Sequence, residues 1–270
     1  MRSHPPTPNS LPEPVQSRLR GYSSEGRNLR TESCSSVFLY THPLKPGLVL
    51  KTLDARSRPQ EPDLLAETVA LTWLQDKLPV PEYRCFHVEG DIQYLLMTQL
   101  EGVTGIHPDV TGDPAHLVAE FARGLREIHA QDIGSCPMDW RMSRFFQWAE
   151  DLIDGGVFDD RIPAGGTRDG LREELDAIKA ALPEEEDLVF THGDYCLPNV
   201  LFKDGELTGF IDLGFAGVGD RHLDFVSASW TIQRNLGEEW ISPFFHAYGL
   251  EHPDREKMGT WQSVFEFVFR

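Results

Sequence analysis

HGDYCLPN occupies residues 192–199, between the apolar runs LVFT (188–191) and VLF (200–202). A loop between two expected strands therefore carries a His, an Asp and an Asn, and Pro198 keeps it from being helical. Downstream, NVLFK and ELTGFID read as two short strands joined by Asp204-Gly205, a dipeptide suited to a tight hairpin turn. A hairpin returns its far end to near its start, which brings Asp212 close to Asn199. Three oxygen-bearing side chains, Asp194, Asn199 and Asp212, then converge.

Convergent carboxylate and amide oxygens suit Mg²⁺, a hard cation that binds through one or two carboxylates plus phosphates. Phosphoryl transfer needs such an ion together with a group that orients the attacking hydroxyl, and Asp194 is the candidate for that task. The spacing D-x-x-x-x-N followed by D-x-G across a hairpin matches the catalytic parts of protein kinases, with His-Gly-Asp in place of His-Arg-Asp. Taken singly, each of the three has a plainer reading: a loop cap, a turn residue, a strand-end cap. His192, before a glycine, reads as a structural brace of the loop. A kinase reading also requires a Lys on an early strand and a Glu on the next helix. Lys51 in GLVLKT and Glu67, sixteen residues on, satisfy that order.

The rest of the chain arranges itself around these parts. Strands are expected at SSVFLYTH (35–42) and GLVLKTLD (47–54), with a turn at LKPG, then a helix over 63–78 that stops at Pro79 and Pro81. YRCFHVEGDIQYLLMT (83–98) reads as two strands joined around Glu89, Gly90 and Asp91. QLEGVTG (99–105) is a connector without periodicity. Asp113 and Pro114 then open a helix whose buried stripe is Leu117, Val118, Phe121, Ala122, Leu125 and Ile128. Further helices are expected at 142–153, 168–182, 222–236, 238–248 and 254–268. The fold class that follows is α+β and two-lobed. It has a flexible Pro-rich tail (1–20), a β-rich nucleotide-binding lobe with one helix (21–98), a connector (99–105) and a mainly helical catalytic lobe (106–270).

Composition bounds the function. A chain of 270 residues with 40% hydrophobic residues can bury a sizeable core. Its net charge of −18 argues against nucleic acid as a partner and favours a small cation, although an acidic surface also serves solubility. The four cysteines form neither a CxxC pair nor a disulfide framework, as expected of reduced thiols in a cytoplasmic protein. No apolar run is long enough to span a membrane, and MRSHPPTPNSLPEPVQ lacks the apolar core of a secretory signal.

With these parts in order, the sequence resembles the aminoglycoside 3'-phosphotransferases over most of residues 30–265. The resemblance is carried by LPVP (78–81), LLMTQLEG (95–102), THGDYCLPN (191–199) and GFIDLGFAGVGDRHLD (209–224). It implies a protein-kinase-like fold and ATP-dependent phosphorylation of an aminoglycoside hydroxyl, the chemistry of an antibiotic-resistance enzyme. Asp194 would act as base, Asn199 and Asp212 would bind Mg²⁺, and Lys51, held by Glu67, would contact the nucleotide phosphates. It further implies that Ser35, in the loop TESCSSV (31–37), meets phosphates. Phe38 would stack on adenine, and Thr98 and Leu100 would present backbone to the adenine edge. Asp159, Asp160 and Glu266 correspond to its acidic acceptor positions. The C-terminus departs from the family pattern: Phe265 replaces an Asp, and Val268, Phe269 and Arg270 follow Glu266 and Phe267. Bulky Met97 and the likeness favour ATP over GTP.

Other readings are a kinase of another hydroxyl-bearing molecule such as a macrolide, an amino sugar or a choline-like alcohol, and a metal hydrolase using His192 and Asp194. The hydrolase lacks a third and fourth ligand at a fitting spacing. A non-catalytic acidic binding module leaves the ordered set of phosphotransfer residues unaccounted for.

Overall fold

The computed structural model describes residues 10–28, 35–56, 63–159, 162, 166–182 and 185–269. The first lobe is an antiparallel sheet of β1 (Ser23–Asn28), β2 (Ser36–His42), β3 (Lys45–Asp54), β4 (Tyr83–Glu89) and β5 (Ile92–Thr98), in the order β1-β2-β3-β5-β4. Alternation along these strands sorts side chains onto two faces. In register, Val37, Lys51 and Leu95 share one face, and Phe38, Leu50 and Leu96 share the other.

A helix covers each face. α1 (Glu13–Gln16) lies across the second face, where Leu11, Val15 and Leu19 pack on Phe38, Tyr40, Leu50 and Leu96. From Ser10 onward, the stretch expected to be a flexible tail is therefore part of the core. Pro12 and Pro14 set the helix start rather than an extended chain, and each fully buried apolar side chain contributes about 1.5–3 kcal/mol. The Arg18 guanidinium adds hydrogen bonds to the carbonyls of Arg84 and Pro14 at 2.9 and 2.8 Å.

α2 (Leu64–Leu74) covers the first face. Asp63 caps it, its carboxylate accepting the Ala66 N–H at 3.1 Å. Trp73 near its end meets Phe190 of the second lobe with ring centroids 4.8 Å apart.

The second lobe begins inside the connector, because β6 (Val103–Thr104) already pairs with β8 (Val200–Lys203). β8 forms the expected hairpin with β9 (Glu206–Phe210); Asp204 and Gly205 at its tip have φ of 54° and 87°, the pair of positive values a tight I′ turn demands. A second ribbon pairs β7 (Leu188–Thr191) with β10 (Gly217–Asp220). β10 is hard to recognise in the sequence because GVGD has two glycines and spans only four residues. The helices are α3 (Pro108–Thr111), α4 (Pro114–His129), α5 (Met142–Asp154), α6 (Arg168–Ala181), α7 (His222–Asn235), α8 (Ile241–Tyr248) and α9 (Arg255–Phe269). All six residues expected on the α4 stripe are buried.

One hydrophobic cluster runs through both lobes, from Leu53, Leu71 and Met97 to Phe121, Tyr195 and Phe225. A second lies among α5, α6, α7 and α9, around Phe145, Leu171, Val226 and Trp261. The first core sits directly under the loop between β7 and β8. Among the described residues no helix is long and apolar enough to cross a membrane.

Candidate active site

The loop from His192 to Asn199 is held by its neighbours at nearly every residue. His192 is fully buried, and its Nε2 lies 3.1 Å from the Ile211 carbonyl, which can only accept. Nε2 therefore carries the proton, and Nδ1 accepts the Asp194 N–H at 3.4 Å. The expected brace is thus a link between the loop and Ile211, the residue that follows β9. Asn199 makes a second link, its carbonyl accepting the Ile211 N–H at 3.0 Å. Its side-chain Nδ2 donates to the Asp194 carbonyl and carboxylate at 3.0 and 2.9 Å, which leaves Oδ1 as the amide's remaining acceptor. Clamping Ile211 from both sides fixes Asp212, which adopts φ 65°. A left-handed aspartate costs roughly 1–2 kcal/mol, offset here by the ion pair its carboxylate makes.

That ion pair crosses between the lobes. Lys51 Nζ lies 2.8 and 2.9 Å from the two Glu67 carboxylate oxygens and 2.9 Å from Asp212 Oδ1. Burial pulls the Lys51 ammonium down, but Asp212 and Glu67 overcome it and hold the group above its usual value. The same ammonium is the main reason Asp212 stays below the usual carboxylate range. Asp194 moves the other way: burial pushes it up, and the Asp212 charge adds to this.

Asp224, on α7, closes the GFIDLGFAGVGDRHLD stretch, where its spacing alone gives it no role. It is fully buried, and its carboxylate accepts the N–H groups of His192 and Gly193, both at 2.8 Å, and His129 Nε2 at 3.1 Å. His129 ends α4, and its Nδ1 lies 2.8 Å from the Tyr248 hydroxyl, whose oxygen accepts from Arg221 Nη1 at 3.0 Å. Burial lowers the His129 pKa, so the ring is neutral, with Nε2–H pointing at Asp224. A chain of donors thus runs from Arg221 through Tyr248 and His129 to the carboxylate under the loop. The signal in the sequence is a His directly after Ile128 on an otherwise apolar stripe.

Gly193 is required where it stands. Its φ is 81°, and an added Cβ would collide with the Phe215 carbonyl.

The remaining expected residues divide. Ser35 is buried just ahead of β2, while residues 31–34 of its loop lie outside the described residues. Phe38 is not near Lys51: it pairs with Leu50 on the opposite sheet face and packs against α1, so its expected place on adenine is not met. Val37, Leu39, Val49 and Met97 share the Lys51 face instead. Thr98 directs its N–H to the Glu82 carbonyl at 3.0 Å and accepts the Glu82 N–H on its hydroxyl at 2.8 Å, so its backbone N–H is already taken. Leu100 is half-buried, against the position of Gly209. Asp159 is bound by Arg168, with Nε to Oδ1 at 2.7 Å, and the guanidinium holds its pKa down. Asp160 and Arg270 lie outside the described residues. Glu266 is exposed on α9, accepts from Gln262 Nε2 at 2.8 Å, and faces a groove against α6 that Glu174, Ile178 and Arg255 also line. That groove does not include Asp194, Asn199 or Asp212.

Residues 36–261 match the family model APH, described as the phosphotransferase enzyme family. An aminoglycoside 3'-phosphotransferase of Niallia circulans is 35% identical over 213 residues, covering 76% of this chain and 78% of that protein. Another, from Enterococcus faecalis, is 33% identical over 221 residues, covering 78% and 81%. The solved structure of a type VIII aminoglycoside 3'-phosphotransferase superposes with a TM-score of 0.76 at 22% identity, covering 93% of this chain and 95% of that one, which establishes the kinase-like fold. From the ordered Lys, Glu, Asp, Asn and Asp to the family match over residues 36–261, the chain belongs to the APH phosphotransferase enzyme family.

Proposed function

We propose that the protein transfers the γ-phosphoryl group of ATP to a hydroxyl of an aminoglycoside, the 3' hydroxyl by its relatives' activity, in the cytoplasm. The observation that carries this is the pairing of two constellations across the cleft: Lys51 with Glu67 and Asp212, and Asp194 with Asn199. The acceptor hydroxyl donates to the Asp194 carboxylate, which orients its oxygen and takes its proton as the oxygen–phosphorus bond forms and the bond to ADP breaks. A carboxylate raised by burial is a better proton acceptor than an exposed one. Lys51 stays charged beside its carboxylates and meets the nucleotide's α- and β-phosphates, with Ser35 and its neighbours around the rest. Val49 and Met97, on the Lys51 face, take the adenine that Phe38 was expected to meet.

Magnesium fits the donors present. Asn199 Oδ1 and the Asp212 oxygen not bound to Lys51 are hard oxygen ligands, and the Asp212 side chain is 44% exposed toward the cleft. Among the described residues there is no cluster of three or more His, Cys, Asp or Glu ligands, in keeping with an ion completed by phosphates and water. When bound it would neutralise phosphate charge.

A net charge of −18 supports a polycationic acceptor. Glu266 and Asp159 remain candidates for its ammonium groups, Asp159 only after leaving Arg168. The test is ATP-dependent phosphorylation of kanamycin and neomycin beside a macrolide, with Asp194→Ala in parallel. Kanamycin phosphate made by the parent and lost by at least 10³-fold in the variant is the expected result. Product with the macrolide alone would move the acceptor to another class, and no product with any acceptor would sink the reading.

A further inference from the structure

Beside the catalytic loop stand three aromatic rings that the chemistry above does not use. Phe215 follows Asp212 by three residues, Trp140 lies just ahead of α5, and Trp148 lies on it. Their centroids are 5.5 Å apart for Trp140 and Phe215, 5.4 Å for Trp148 and Phe215, and 5.6 Å for the two tryptophans. Trp148 is buried and backs the other two, which stay partly exposed.

Backbone contacts press this wall against the loop. The Phe215 carbonyl and Cβ occupy the space where a Gly193 side chain would go, so Phe215 sits on the residue next to Asp194. Gly217 lacks a side chain for the same reason: a Cβ there would come within 2.8 Å of Trp140 Cδ1. Trp140 is fixed by its N–H bond to the Val218 carbonyl at 2.8 Å. The nearby Asp139 carboxylate is engaged with Arg141 at 3.1 Å. Aromatic faces attract ammonium groups, most strongly where water is displaced.

We propose that Phe215 and Trp140 are specificity-determining residues of the acceptor site, receiving an ammonium-bearing amino-sugar ring on their faces while its hydroxyl meets Asp194. This rests on the aminoglycoside reading above.

Two phenylalanine variants and one spectroscopic readout test it. Phe215→Leu keeps an apolar side chain of similar size but removes the π face, and Phe215→Tyr keeps the face. Acceptor KM is expected to rise roughly 5- to 30-fold in Phe215→Leu, the range of a cation–π contact, with ATP KM unchanged, and to return in Phe215→Tyr. Titration with kanamycin in the absence of nucleotide should shift tryptophan fluorescence in the parent and in Trp148→Phe, and lose most of the shift in Trp140→Phe. An acceptor KM within two-fold of the parent in a folded Phe215→Leu overturns the proposal, as does a parallel fall of both substrates' binding. If the parent makes no product with any aminoglycoside, it is the acceptor class that fails; a flat fluorescence titration then removes the wall as an amino-sugar site too.

Discussion

Replacing Asp224 by Asn tests whether the buried carboxylate holds the catalytic loop in register. Its Oδ2 receives the His192 N–H at 2.8 Å and His129 Nε2–H at 3.1 Å, and its Oδ1 receives the Gly193 N–H at 2.8 Å. An amide keeps the shape but turns one oxygen into a donor, so at least one backbone N–H faces another N–H. An unsatisfied buried donor costs about 1–3 kcal/mol, and the bonds that remain lose their charge assistance. The sum, roughly 2–4 kcal/mol, is a large part of the ~5–15 kcal/mol that keeps a domain folded. Urea unfolding should show the midpoint fall with an unchanged slope. Displacement of Asp194 by even about 1 Å should lower kcat on the order of 10²-fold. Combining Asp224→Asn with His129→Ala should cost less than the sum of the two, because both act on one hydrogen-bond chain. A variant within about 0.5 kcal/mol of the parent, the scatter of an ordinary surface change, with kcat within two-fold would refute the reasoning.

Lys51→Met should abolish phosphoryl transfer and destabilise the protein by about 3–5 kcal/mol, because it strands the buried Glu67 carboxylate. Lys51→Met with Glu67→Leu should recover most of that stability, measured by thermal melting, and none of the activity. Asp220, on β10, receives bonds from the Asp187 and His222 N–H groups, His222 Nδ1 and Lys257 Nζ, which overcome its burial and bring its pKa from 3.8 to about 2. A depressed carboxylate stabilises the fold above its unfolded pKa, here by about 2.5 kcal/mol, and that contribution is lost as pH falls from 3.8 through 2. Asp220→Asn should flatten this acid limb in unfolding measured between pH 5 and 2, and a limb unchanged in the variant would assign it to other groups.

The convergence of Asp194, Asn199 and Asp212 was legible because their spacing is fixed by short-range geometry. A two-residue turn at Asp204 and Gly205 and a loop interrupted by Pro198 leave little freedom in where Asp194, Asn199 and Asp212 meet. Lys51 and Glu67 were legible by order alone. What escaped depends on contacts remote in sequence. His129 and Asp224 are 95 residues apart; the place of His129 on an apolar stripe marks it as buried, but nothing local in the sequence names Asp224 as its partner. Phe38 was misplaced by parity: one step along a strand reverses the face, and only the pairing of Val37 with Lys51 shows which residues share the Lys51 face. The prolines before residue 15 masked Leu11, Val15 and Leu19, whose partners lie on the sheet and not nearby in the chain.

The Lys51–Glu67 pair is already closed, and α2, which carries Glu67, is bolted to the second lobe through Trp73 and Phe190 and through the core the lobes share. A signalling kinase gains its off state by letting the corresponding helix swing away until a modification brings it back. Here the same swing would pull apart the hydrophobic interior that the lobes share, which ties the Lys51–Glu67 pair to the folding of the core itself.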